Sequence, residues 1–175
     1  VRPSNTHQVS EFVSIASRLG VSIVPVGGNT GLNGGTHSDK SISISMERMN
    51  NIHEIRSSSK IALVEAGVIL TTLHQAVNEN DLMFPLTFGA RGSATIGGVL
   101  STNAGGSNVL KYGNTRDLVL GVEIVLPNGD IMNLMSELHK DNSGYCLRDL
   151  VIGAEGTLGI ITQAVLKLFP KPKAH

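Results

Sequence analysis

The sequence predicts an α+β fold of two lobes, residues 1–82 and 83–175. Three observations predict it. The first lobe opens with apolar residues at helical spacing and continues in short β-like runs. The second carries long apolar runs and a hairpin signal. Three glycine-rich segments almost free of charge, at 25–36, 92–106 and 153–162, interrupt these elements.

Val9, Phe12, Val13, Ala16 and Leu19 recur as on one helix face, which predicts a helix over about 7–19 with Gly20 placed to end it. Val21 to Val26 reads as a buried strand that runs into the first glycine segment. Ser41 to Met46 alternates apolar and polar residues, as a half-buried strand does. Ile61 to Ala66 reads as a third strand, and Leu70 to Asn80 as a short helix with Leu73, Ala76 and Val77 on one face. Met83 to Ser107 reads as a long loop of the kind that is usually functional. Leu118 to Leu126 and Ile131 to Met135 flank PNGD and predict a hairpin. Leu158 to Phe169 reads as a closing strand, so the second lobe is expected to be a sheet with antiparallel pairs.

Composition narrows the function classes. Hydrophobic residues make up 41% of the 175 and charged residues 16%, which fits a packed globule. Fourteen basic and 14 acidic residues give no electrostatic footprint for nucleic acid. Two Tyr and four Phe are too few for a base-stacking platform. No apolar run is long enough to span a bilayer. The lone cysteine, Cys146, excludes an internal disulfide and is expected to be a buried structural thiol. Without a targeting segment the expected compartment is the cytoplasm, although Val1 is not a natural start. The six histidines are scattered, with no metal-ligand spacing, so no metal site is assigned.

The first glycine segment, PVGGNTGLNGGT, raises the functional question. It lacks the GxGxxG spacing of a dinucleotide fingerprint and the lysine of a phosphate-binding P-loop. What remains is a bend whose backbone N–H groups can converge on phosphate oxygens, helped by Asn29 and Thr30, or else a cluster of ordinary turns. GSATIGGVLSTNAGG and GAEGTLGIIT add two further segments where backbone can approach a ligand closely.

Together, PVGGNTGLNGG, IGG followed two residues later by STNAGG, and IGAEGTLGIIT resemble the FAD-binding domain of the vanillyl-alcohol oxidase superfamily, the PCMH-type fold. The similarity runs from Arg2 to Pro172. It is greatest to the FAD-linked 2-hydroxyacid dehydrogenase branch: D-2-hydroxyglutarate dehydrogenase, D-lactate dehydrogenase and the glycolate oxidase flavin subunit. KDNSGY at 140–145 and GARGS at 89–93 lean toward the first of these. The resemblance implies an α+β fold with FAD between its two lobes.

It also implies roles. The first segment would wrap the pyrophosphate with Pro25, Gly27, Gly28, Asn29, Thr30, Gly31 and Leu32, with Gly35 and Thr36 closing the turn. The middle segment would form the wall beside the flavin ring with Pro85, Gly89, Ser93, Gly97, Gly98, Asn103, Gly105 and Gly106. The third would lay Glu155, Gly156, Gly159, Ile160 and Ile161 against the adenosine and ribityl parts, with backbone contacts at Ile160 or Ile161. Glu155 would accept from sugar hydroxyls or amides, or anchor its loop. Some superfamily members attach FAD through a histidine in the first segment; Asn29 and Thr30 stand there, so FAD is expected to be non-covalent. Ala94, Thr95 and Val99 replace residues that are polar in close relatives.

The implied chemistry is hydride transfer from a D-2-hydroxyacid to flavin N5, with the electron acceptor open. The family carries its substrate-binding groups in a further domain downstream, so no residue here is expected to be catalytic, and His53, His74 and His139 are expected to be ordinary polar residues. The chain alone is expected to bind FAD and turn over substrate poorly. Two alternatives stand: another flavoenzyme class on the same scaffold, such as an alkyldihydroxyacetonephosphate synthase or a sugar oxidase, and a non-catalytic binding remnant that docks on a partner.

Overall fold

A computed structural model describes residues 1–172. The N-terminal helix α1 spans Thr6–Arg18; the Asn5 side chain caps it by accepting from the Gln8 N–H at 3.0 Å. Gly20 follows the cap with a left-handed φ of 65° and turns the chain into β1 (Ser22–Val26). β1 pairs with β2 (Ser41–Ser45) in parallel, in register from Ser22↔Ser41 to Val26↔Ser45. The first glycine segment therefore leaves the C-terminal end of a parallel strand.

The main sheet has five strands in the order β3-β4-β8-β6-β7. These are Ile52–Arg56, Ile61–Glu65, Ile160–Lys167, Val119–Val125 and Ile131–Leu134, and every neighbouring pair is antiparallel. β3 and β4 come from the first 82 residues and the other three strands from the rest. β4 and β8 are adjacent, so one sheet joins both parts of the chain. A two-residue pair, β5 (Leu82–Met83) with β9 (Phe169–Pro170), closes the far end.

One sheet face carries the main core: Ala62 and Val64 of β4, Val122 and Ile124 of β6, and Ala164 and Leu166 of β8, packed against α2 (Leu70–Asn78) and α3 (Ile96–Ser101). A smaller core gathers Val9 and Val13 of α1 with Ile44, Met46, Ala66, Val125 and Ile160. Glu123 ties the two regions together by accepting from Thr6 Oγ1 at 2.6 Å, Thr162 Oγ1 at 2.8 Å and Gln163 Nε2 at 3.1 Å.

Three expectations need correction: the loop over 83–107, the burial of Cys146 and the burial of β1. In β1, Ser22 is exposed and the other four residues are only half-buried. A further strand, β3, has no counterpart in the sequence reading. The long loop over 83–107 contains α3 and a 3-10 turn over Gly89–Gly92. Gly97 and Gly98 are poor helix formers, but Thr95 caps the helix and buried Ile96, Val99 and Leu100 hold it to the core. β3 went unread because it is an edge strand with two apolar residues, a bulge at Ile52/Glu54 and three charged or ionisable side chains. Cys146 is exposed rather than buried. It sits at the start of the short helix α4 (Leu147–Val151), after a surface run that enters no sheet.

Candidate functional site

A cleft of about 340 Å³ opens where the end of β1, helix α3 and the start of β8 meet. Fifteen of the 22 sequence-assigned site residues line it: Pro25, Gly27, Gly28, Asn29, Thr30, Gly31, Gly35, Thr36, Gly97, Gly98, Glu155, Gly156, Gly159, Ile160 and Ile161. Seven do not. Leu32 is 98% exposed at the loop tip. The Pro85 carbonyl accepts from Asn108 Nδ2, and Gly89 begins the 3-10 turn. Ser93 backs Gly28 with its carbonyl, and Asn103 accepts from the Arg116 N–H at 2.9 Å. Gly105 packs beside Asn114 and Val109, and Gly106 against the backbone of Thr87. Sequence reasoning missed Met46, Ala66, Phe88, Ser101 and Thr102, which also line the cleft. Met46 and Ala66 follow β2 and β4 directly, a position no local motif signals.

The packed glycines hold the walls together. A Cβ on Gly27 would strike Thr95 Oγ1, and one on Gly28 would strike the Ser93 carbonyl oxygen. A Cβ on Gly97 would come within 2.8 Å of the Ala66 Cβ, where the Gly97 N–H donates to the Ala66 carbonyl at 2.7 Å. Side chains at these positions would collide with protein before reaching any ligand. By contrast, a Cβ on Gly31 would meet nothing within 4 Å.

The polar character of the cleft is narrow. Among the described residues Glu155 is the sole ionisable residue lining it, and none of those lining it is a cation. From Gly28 to Thr36 no backbone N–H donates to another protein group among the described residues. Asn29 adopts a left-handed φ of 51°, and its Oδ1 accepts from Thr36 Oγ1 at 2.6 Å. That bond uses the amide oxygen and leaves the Asn29 NH₂ group free to donate. The loop thus presents a row of neutral donors, the arrangement by which backbone binds an anion without a side-chain cation.

The third segment is anchored differently. The Gly153 N–H donates to the Leu100 carbonyl at 3.0 Å and the Glu155 N–H to the Ser101 carbonyl at 2.9 Å. Both acceptors lie at the C-terminal end of α3, where the Leu100 carbonyl also accepts from the Asn103 N–H at 3.0 Å. Glu155 (φ 52°) and Gly156 (φ 80°) are both left-handed, and Glu155 Oε2 lies 3.7 Å from where a Gly35 Cβ would stand.

None of the questioned histidines lines the cleft. His53 Nε2 lies 3.5 Å from Glu65 Oε1, and His139 Nε2 lies 2.9 Å from the Ser59 carbonyl. Burial holds the His74 imidazole below the usual histidine range. His37 pairs with Asp39 on the surface at 3.6 Å. Among the described residues no group of three His, Cys, Asp or Glu side chains could hold a metal ion. No helix there is long and apolar enough to cross a membrane. Most of KDNSGY borders a separate hollow of about 780 Å³ on the other side of the main sheet, with Tyr145 95% exposed.

In this α+β fold a parallel strand thus feeds an amide-rich loop beside a cleft that, among the described residues, carries no cation. The FAD binding domain family matches residues 1–135, and the chain belongs to that family. It is 41% identical over 171 residues to D-2-hydroxyglutarate dehydrogenase of Xanthomonas citri pv. viticola, covering 97% of this chain and 36% of the relative. It is 42% identical over 174 residues to glycolate oxidase subunit GlcD of Bacillus subtilis, covering 99% and 37%. Other relatives are named D-lactate dehydrogenase, or D-2-hydroxyglutarate dehydrogenase of mitochondria. The solved structure of an alkyldihydroxyacetonephosphate synthase matches with a TM-score of 0.89 at 28% identity, over 99% of this chain and 32% of the other. The fold is thus the PCMH-type FAD-binding fold. The chain spans about a third of the length of the curated relatives it matches.

Proposed function

We propose that the protein is the FAD-carrying part of a flavin-dependent dehydrogenase that oxidises a D-2-hydroxyacid of the 2-hydroxyglutarate, lactate or glycolate class. The observation that carries the cofactor reading is the run from Gly28 to Thr36: most of it lines a cleft without a cation among the described residues, and none of its backbone N–H groups donates to protein there. The FAD diphosphate is the anion that such a run suits. Gly31, Gly35 and the Asn29 NH₂ group bind it, and Thr36 keeps Asn29 turned that way. Gly97 and Gly98 of α3 form the wall opposite, with Phe88 and Ala104 supplying apolar surface. Glu155 serves a ligand hydroxyl, because a carboxylate beside a diphosphate is otherwise repelled.

Attachment is non-covalent, a reading supported by the absence of any histidine from the cleft lining among the described residues, with His37 outside it. Bound FAD supplies the hydride acceptor at flavin N5, and this chain's share of the work is to hold it and exclude water from one side. The substrate class rests on the relatives, whose printed activities are D-2-hydroxyglutarate dehydrogenase, D-lactate dehydrogenase and glycolate oxidase. Alkyldihydroxyacetonephosphate synthase is the second reading, supported by the structural likeness. Its 28% identity, against 41% and 42% for the hydroxyacid relatives, places it second.

The full gene product, loaded with FAD under anaerobic conditions, tests the activity. One of D-2-hydroxyglutarate, D-lactate or glycolate is expected to bleach the flavin band, with the L enantiomer inert where one exists. A flavin that stays oxidised with all three would remove the hydroxyacid assignment while leaving cofactor binding in place.

A further inference from the structure

We infer that Arg116, which lies outside the cleft, is a positioning residue for it. Arg116 fastens the third glycine segment to the exit of α3 and so sets where Glu155 and Gly156 stand. The inference rests on the FAD reading of the cleft.

Arg116 belongs to a 3-10 turn, Thr115–Leu118, fixed by a capping box between Asn114 and Asp117. Two neighbours in this turn grip two different walls. Thr115 donates to the Ala104 carbonyl from both its N–H at 3.1 Å and its Oγ1 at 2.7 Å, and Ala104 lines the cleft. The Arg116 N–H donates to Asn103 Oδ1 at 2.9 Å, while its Nη2 reaches across to the Ile152 carbonyl at 2.6 Å.

Asn103 is where the chain leaves α3, and Ile152 is where it enters the third segment. Both turns use left-handed backbone at the same corner: Asn103 at φ 46° and Gly153 at φ 89°. A Cβ on Gly153 would lie 3.1 Å from Arg116 Nη2 and 3.3 Å from the Asn103 Cβ, so the corner is filled. Beyond it, the Gly153 and Glu155 amides settle on the Leu100 and Ser101 carbonyls. Arg116 is the side chain that spans this corner. It makes no contact with the cleft itself. Its effect on the cofactor must pass through the segment it holds.

The test compares Arg116→Met, Arg116→Lys and Arg56→Met in the purified protein. Arg56 is a bracket elsewhere, holding Glu54 and Glu137 on the far side of the sheet. Hydrogen exchange without FAD reads the clamp directly: Arg116→Met is expected to speed exchange of the Gly153 and Glu155 amides about tenfold. Flavin fluorescence reads the consequence: the same variant is expected to raise the Kd for FAD about tenfold, Arg116→Lys to recover most of the loss, and Arg56→Met to leave the Kd unchanged. An unchanged Kd in Arg116→Met overturns the inference, as does an equal loss in Arg56→Met, which would make the effect general destabilisation. Faster exchange with normal FAD affinity also overturns it, since the clamp would then hold a segment that FAD does not need. Wild-type protein that keeps the slow exchange but binds no FAD would remove the cofactor reading, and the positioning role with it.

Discussion

The first and third glycine segments line the same cleft, yet they are held in opposite ways. From Gly28 to Thr36 the backbone N–H groups donate to no protein group among the described residues. From Gly153 to Thr157 they are largely consumed: Gly153, Ala154, Glu155 and Thr157 all donate to protein carbonyls. Glycine content, similar in both, conceals this difference. In the first segment Gly31 and Gly34 stand in open space, with nothing within 4 Å of an added Cβ. In the third, glycine permits left-handed turns and close packing, as at Gly156, where a Cβ would meet the Pro25 Cγ at 2.5 Å. The first segment leaves its donors unused by the protein, and the third uses its donors to fix its own position.

Substitutions separate these two uses. The largest stability effect is expected at Gly156→Ala. Its φ of 80° strains any side chain, and the new methyl collides with Pro25. Thermal unfolding of the FAD-free protein should show a loss of about 2–4 kcal/mol. A near-neutral result would mean that the third segment is not fixed as described. Next comes Gly31→Val, which reverses the pattern. Free space around the added Cβ keeps folding stability within about 0.5 kcal/mol of wild type. FAD affinity should fall by at least about 1.4 kcal/mol, a factor of ten, because the side chain enters the cleft. Normal FAD binding in that variant would erase the contrast between the segments. The smallest effect belongs to Asn29→Gly, which keeps the left-handed backbone comfortable and removes only the amide. Titration calorimetry should give a loss of about 1–2 kcal/mol in FAD binding. No loss would reduce Asn29 to a turn residue.

Much of this was legible because local rules and tertiary needs coincide. Of the five residues whose spacing names the inner face of α1, Val9, Val13 and Ala16 are buried and Phe12 is half-buried, while Leu19, at the helix cap, is 71% exposed. PNGD makes the expected turn, with Gly129 at φ 94°. Other features follow from contacts that no local window contains. The parallel pairing of β1 with β2 joins segments separated by the whole first loop. A helix through Gly97 and Gly98 needs Ala66 beneath it, and a Cβ at Gly97 would close that approach. The sequence points to the glycine segments as the site. It does not say that Gly27 and Gly28 face Thr95 and Ser93 while Gly31 faces open space. Nor does it reveal that Asn103, Gly105 and Gly106 brace the wall from behind.

The most direct test of the central claim, that this cleft holds FAD without a covalent bond, is a desalting experiment. Purified protein is mixed with FAD and desalted, and the visible spectrum is recorded before and after denaturation. The account predicts a flavin band that stays with the folded protein and leaves the polypeptide when it unfolds. A folded protein that retains no flavin, or a flavin that remains on the denatured chain, would contradict it.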